Sequence, residues 1–217
     1  MPLPLDRERP PRTAAGCGNK NPLMNLTRVC VFCAASRQCG AEYFAAAREL
    51  GATLGGAGIG LVTGGGSTGL MGAVADAALG AGGQVVGVLP RFMNKHEIAH
   101  RGLTRLHLVD GMHERLGAML EESDAFVTLP GGCGTLEELF FILTRKRLGL
   151  TGKPVVIVNI GGYFDPVIAM LDKCIGERFM DSRHADMWKV VGSVREVLPA
   201  IAAFPEWDAA SAVFAVP

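Results

Sequence analysis

The stretch Thr63-Gly64-Gly65-Gly66-Ser67-Thr68-Gly69-Leu70-Met71-Gly72 carries G-x-G-x-x-G at Gly64, Gly66 and Gly69, directly after an apolar run. Glycines let a backbone approach an anion closely, and the free amides and positive dipole at a following helix start favour phosphate. The bland alternative is a tight turn. A dinucleotide site would also need an acidic residue about 20 positions on, at the end of the next strand. That run reads Gln84-Val85-Val86-Gly87-Val88-Leu89-Pro90 and has none. No Gly-Lys-Ser/Thr follows the loop, so it is not a nucleoside-triphosphate P-loop.

A second segment, Leu129-Pro130-Gly131-Gly132-Cys133-Gly134-Thr135-Leu136-Glu137-Glu138, repeats the design after another apolar run. Thr135-x-x-Glu138 also fits a capping box, with Thr135 capping a helix and Glu138 reaching back to its first amide. Two such loops on one sheet offer a single phosphate two helix N-termini, with Glu138 one turn inside the second and placed to engage a sugar. Met112-His113-Glu114-Arg115 opens another helix, and Arg115 either faces the same sheet edge or makes a surface ion pair.

Two further motifs compete for attention. His96-Glu97-Ile98-Ala99-His100 matches H-E-x-x-H, which on a helix puts two histidines on one face for zinc. Its flanks, Pro90 and Gly102, leave little room for a long helix and no third ligand is apparent, so no metal is expected. Cys30 and Cys33 form C-x-x-C inside the run Val29-Cys30-Val31-Phe32-Cys33, where strand alternation sends them to opposite faces. The six cysteines are scattered along a chain able to build its own core, and read as reduced thiols of a cytoplasmic protein.

The elements that must position these residues alternate along the chain. Strands are predicted at 28–33, 59–63, 84–89, 105–109, 124–129 and 154–159, and helices at 41–55, 69–81, 111–122, 135–148 and 164–178. This is the pattern of βαβ units, and predicts an α/β fold, a Rossmann-like doubly wound parallel sheet in a single domain. Ligands of such sheets bind beyond the carboxyl ends of the strands, where both glycine loops fall. Residues 1–25, rich in Pro and Arg, are expected to be a disordered tail, 26–205 the domain, and 206–217 a C-terminal tail.

The 217 residues are 49% hydrophobic and 19% charged, with 29 glycines, as expected of buried strands and tight turns. Lys plus Arg and Asp plus Glu number 21 each, so no global positive field recruits nucleic acid. No apolar run approaches the roughly 18 to 20 residues of a membrane span.

Taken together, GGGSTGLMG, DGMHER and PGGCGTLEE resemble the Lonely Guy (LOG) family of cytokinin riboside 5′-monophosphate phosphoribohydrolases, once labelled lysine decarboxylases. The resemblance runs from about residue 28 to 180. It implies a Rossmann-like homodimer with sites at the subunit interface, a nucleoside 5′-monophosphate as substrate, and neither a redox cofactor nor a required metal. By position, it implies catalytic roles for Arg115 and Glu138. Substrate contacts fall on Glu97, on Gly131, Gly132, Cys133, Gly134 and Thr135, and on Thr144; Gly64, Gly65, Gly66, Ser67 and Gly69 share the phosphate. Leu116, Cys133 and Arg145 depart from the family's usual Lys, aromatic and Trp, which loosens the inferred base preference.

The implied reaction is hydrolysis of the N-glycosidic bond of a purine riboside 5′-monophosphate, either a cytokinin or an adenosine derivative, to free base and ribose 5-phosphate. A carboxylate suits its oxocarbenium-like transition state, while an arginine suits orientation or charge stabilisation. The alternative is a nucleotide-binding module of the same fold that does not hydrolyse, with Glu138 merely capping. A pyridoxal-phosphate decarboxylase would need a Schiff-base lysine, and Lys95, Lys146 and Lys153 have no persuasive setting in the sequence.

Overall fold

In the computed structural model, residues 26–94 and 99–207 are described. The expected N-terminal tail, the bulk of the C-terminal one, and His96 and Glu97 of the H-E-x-x-H string lie outside them.

Short runs of Val, Ile, Leu and Phe form the strands, because β-branched and aromatic side chains fit a pleated surface buried on both faces. They are β1 (Arg28–Phe32), β2 (Gly60–Thr63), β3 (Val85–Pro90), β4 (Arg105–Val109), β5 (Ala125–Thr128), β6 (Val155–Val158) and β7 (Lys189–Val191). They pair in the order β4-β3-β2-β1-β5-β6-β7, every pairing parallel. The helices are α1 (Ala41–Gly56), α2 (Gly69–Gly80), α3 (Arg91–Asn94), α4 (Met112–Glu122), α5 (Cys133–Arg147), α6 (Asp165–Gly176) and α7 (Val197–Ala202). The doubly wound α/β expectation holds. Strands and helices predicted from periodicity fall within about two residues of their observed ends, while α3, β7 and α7 were not foreseen. Each is too short to establish a period.

Strand alternation produces two cores. Val29, Val31 and Cys33 pack with α1, α2 and α7 on one face, and Cys30 and Phe32 pack with α4, α5 and α6 on the other. The C-x-x-C sulfurs therefore do lie on opposite faces, as free thiols. Close packing of α1 on α2 depends on Gly51 and Gly55, where an added Cβ would meet the carbonyl oxygens of Val74 at 2.2 Å and Ala78 at 2.5 Å.

The sheet grows outward from β1 through β2 and β3 to β4, then resumes with β5 on the far side of β1. Helix α4 makes that return and packs against β3, β2 and β1 as well as β4. The reversal of strand order thus carries α4 to the middle of the sheet, beside α5, which also packs on β1. Beyond α7 the chain still contacts the domain: the Trp207 indole N–H donates to the Lys146 carbonyl at 2.8 Å. Contacts continue two residues past the expected boundary at 205.

Candidate active site

The second glycine loop leaves β5 at the sheet centre and runs straight into α5. That helix begins at Cys133 with Gly132 as its N-cap, and no side chain caps it. The capping-box alternative is overturned, because Thr135 is already inside the first turn and cannot be the N-cap. Its hydroxyl is instead packed where a Gly131 Cβ would stand, 2.1 Å away. The first amides of a helix have no intrahelical acceptor, so those at the start of α5 are available to an anion. Gly132, Cys133 and Gly134 are exposed, and Gly131 and Thr135 are buried.

Glu138 turns towards α4, where its Oε1 meets Nη2 of Arg115 at 2.9 Å; their side chains are 7% and 9% exposed. The Arg115 Nε–H donates to the Val88 carbonyl at 3.1 Å, which anchors the guanidinium on β3. Arg115 is therefore a buried residue, and its surface-pair alternative is excluded. Burial pushes the Glu138 carboxyl up to about 7, against the opposing charge and hydrogen bond of Arg115 and with a smaller upward push from Glu137. Beneath the pair, burial and then the Glu138 charge hold the Cys30 thiol well above its usual range.

The first glycine loop wraps the other side of Arg115. A Cβ on Gly64 would stand 2.1 Å from Nη2, so only glycine admits the guanidinium there. Gly65, at φ +79°, lies against the backbone of Gly87, itself a glycine in mid-strand with no space for a Cβ. The Gly66 amide donates to the Met71 sulfur at 3.1 Å, and Ser67 is exposed. Gly69, at φ +62°, abuts the backbone of residues 34–36.

Those residues, in the loop after β1, were not singled out by sequence. The Ala34 N–H donates to the Pro130 carbonyl at 3.1 Å, and its carbonyl accepts from the Met71 N–H at 3.2 Å. Thr68 adds a hydroxyl bond to the Ala35 carbonyl at 2.9 Å. One α2 amide is thus already occupied, which leaves α5 with the less encumbered N-terminus. Position alone could have flagged this loop, since it follows the strand beside the switch in strand order. Tyr163 was also missed, and its hydroxyl donates to the Gly131 carbonyl at 2.7 Å.

Thr144 stands apart from this cluster. It is exposed on α5, six residues past Glu138 and roughly 9 Å along the axis. Glu97 lies outside the described residues. Its neighbours bind the first loop: Ala99 bridges Gly66, and the His100 N–H donates to the Gly65 carbonyl at 2.9 Å. The His100 ring has both nitrogens engaged, by Asp76 at 2.9 Å and by the Gly102 N–H at 3.1 Å. Among the described residues no cluster of three or more His, Cys, Asp or Glu is placed to hold a metal.

Lys146 has one property of a Schiff-base lysine, because burial lowers its ammonium to about 7. Its contacts, however, are structural. Its side chain is fully buried, donates to the Lys153 carbonyl at 2.8 Å, and lies 4.1 Å from the Phe204 ring centroid. It locks the end of α5 to the C-terminal segment and does not support a decarboxylase site.

Residues 71–201 match the family model described as "Possible lysine decarboxylase". The chain is 47% identical over 153 residues to "Probable cytokinin riboside 5′-monophosphate phosphoribohydrolase LOGL5" of Oryza sativa subsp. japonica, covering 70% of this chain and 62% of that protein. It is 44% identical over 153 residues to the cytokinin riboside 5′-monophosphate phosphoribohydrolase of Rhodococcoides fascians, covering 70% and 77%. The chain therefore spans somewhat less than two thirds of the rice relative's length. A solved structure of the molybdenum cofactor carrier protein from Chlamydomonas reinhardtii has the same fold, with a TM-score of 0.63 at 24% identity over 82% of this chain and 96% of that one. With its two glycine loops closing on a buried arginine–glutamate pair, the chain belongs to the LOG family, whose model carries the lysine decarboxylase description.

Proposed function

We propose that the protein hydrolyses the N-glycosidic bond of purine riboside 5′-monophosphates, AMP and N6-modified adenosine monophosphates among them, to free base and ribose 5-phosphate. The observation that carries this reading is the Arg115–Glu138 pair, buried at 2.9 Å beside the uncapped start of α5. A carboxylate that served only to cap α5 would bond the helix's first amides; Glu138 is aimed at a guanidinium instead.

The 5′-phosphate is held at the α5 N-terminus and along the 64–69 loop, and its binding energy orients the ribose. As the bond from C1′ to the base breaks, its electron pair leaves with the base and positive charge builds on the ribose. Ionised Glu138 stabilises that charge and positions the water whose oxygen bonds to C1′. The proton lost by water balances the one taken by the departing base. The Arg115 guanidinium, with its planar fork of donors, orients Glu138 and the substrate's phosphate or ribose.

The working unit in this proposal is a cytoplasmic homodimer. Phe140 on α5 and Leu148 at its C-cap are 40% and 45% exposed, and with Thr144 between them they follow one face at i, i+4 and i+8. A second copy on that face would cover them and bring Thr144 to a site boundary. Free buried thiols at Cys30 and Cys33 suit a reducing compartment. Among the described residues no helix is long and apolar enough to cross a membrane.

Chromatography after incubation with AMP, N6-modified adenosine monophosphates and the matching nucleosides tests the reaction. Free base and ribose 5-phosphate are expected from the monophosphates, and much less base from the nucleosides. Equal turnover of adenosine and AMP, or binding without any cleavage, would remove the reading.

A further inference from the structure

The loop between β6 and α6 is built at some conformational expense. Gly161 and Gly162 are both left-handed, at φ +58° and +76°, and a Cβ on Gly162 would meet the Asp165 carboxylate at 2.6 Å. Asn159 clamps the loop, accepting the Phe164 N–H at 2.7 Å and donating to Asp165 at 2.7 Å. The result is the placement of Tyr163. Its ring stands edge-on to Tyr43 at 5.7 Å and to Phe164 at 5.0 Å. It remains 41% exposed, yet its hydroxyl reaches across to the Gly131 carbonyl at 2.7 Å.

That carbonyl belongs to the peptide whose other end is the Gly132 N–H. In a planar trans peptide the C=O and N–H point in opposite directions, so fixing the Gly131 oxygen on Tyr163 aims the Gly132 amide the other way. The preceding peptide is fixed in the same manner, because the Pro130 carbonyl accepts from Ala34 at 3.1 Å. The Thr135 side chain packs closely on Gly131, its Oγ1 2.1 Å from where a Cβ would stand. Glycine at both 131 and 132 otherwise leaves this turn free to take other backbone angles.

We propose that Tyr163 is a positioning residue for phosphate: by holding the Gly131 carbonyl, its hydroxyl orients the Gly132 amide at the start of α5 towards the substrate's 5′-phosphate. This rests on the reading that α5 receives that phosphate. The contribution is specific to phosphate, because a nucleoside has nothing at that amide to lose. It requires the hydroxyl, while the aromatic packing with Tyr43 and Phe164 needs only the ring.

Tyr163→Phe keeps the ring and removes the donor. Loss of one neutral hydrogen bond predicts ribose 5-phosphate binding weaker by about fivefold in calorimetry. The ratio of kcat/KM for AMP over adenosine should fall by a similar factor, while the value for adenosine stays within about twofold. An unchanged ratio and unchanged ribose 5-phosphate affinity would overturn the inference, as would an equal fall for both substrates, which marks a merely structural role. If the wild-type protein binds ribose 5-phosphate but cleaves neither AMP nor adenosine, the hydrolase reading fails and the affinity comparison still decides the role of Tyr163. Should Tyr163→Phe not fold, the wild-type Gly132 amide resonance provides the test. It must shift on titration with ribose 5-phosphate, and a resonance that stays in place overturns the proposal.

Discussion

Nη2 of Arg115 lies 2.9 Å from Oε1 of Glu138, and the two residues reach that contact from the N-terminal halves of α4 and α5, the helices before and after β5. The pair is buried, so each partner sets the electrostatics of the other. Glu138 is the member that titrates near neutrality.

Replacing Glu138 by Gln keeps shape and a hydrogen-bonding oxygen for Arg115 but removes the charge. Turnover of a 5′-monophosphate should fall on the order of a hundredfold or more, as for other preorganised electrostatic groups, with substrate still bound. Single-turnover kinetics and a binding isotherm check the two halves. Near-normal turnover would refute the assignment of Glu138.

The raised carboxyl of Glu138 gives two pH signatures. If the ionised form acts, wild-type kcat rises through pH about 7, and the residual activity of Glu138→Gln lacks that limb. Stability runs the other way. With a folded value near 7 against an ordinary 4.5, the folded state binds more protons between those values. The stabilisation from the neutral acid is therefore complete below the ordinary value and is lost as pH rises through 7. Melting curves at about pH 5 and about pH 8 should show Glu138→Gln gaining on the wild type at the higher pH. A difference that is flat or of opposite sign would contradict the burial argument.

Gly64→Ala tests whether the first loop serves Arg115 as well as phosphate. The new methyl would displace a guanidinium otherwise 2.1 Å away, and misplacement of about 1 Å is enough to cost a catalytic group much of its effect. Turnover should drop roughly tenfold or more while the far-ultraviolet dichroism is retained. Full activity in this variant would show that Arg115 need not hold its observed position.

Chelation should leave activity intact, because the proposed chemistry uses no metal and both His100 ring nitrogens are already engaged. Elemental analysis before and after dialysis against a chelator is the check. Stoichiometric zinc lost together with activity would restore the His96-Glu97-Ile98-Ala99-His100 reading.

The exposed face of α5 predicts the assembly. Phe140→Glu places a charge in a patch that a second copy would cover, and light scattering should shift from dimer to monomer with a loss of activity. A strictly monomeric, fully active wild-type protein would rule out the shared site.

What the sequence determined by itself is whatever depends on neighbours along the chain. Apolar runs and 3.6-residue periodicity located six strands and five helices, because burial patterns are local. The glycine loops at the ends of β2 and β5 were legible because only glycine tolerates the positive φ at residues 65 and 69 and the crowding at residues 64 and 131. Arg115 and Glu138 were legible as candidates through the motifs around them. Their contact was not, since it depends on α4 crossing back over β3, β2 and β1 once strand order reverses. Only the tertiary structure decided that Glu138 faces Arg115 and leaves α5 uncapped, that Ala34 ties both loops together, and that Tyr163 holds Gly131. Each of these contacts joins residues at least 23 positions apart, and their partners' identity carries no local signature: a backbone carbonyl is the same at every residue, and which one a side chain meets is settled by packing.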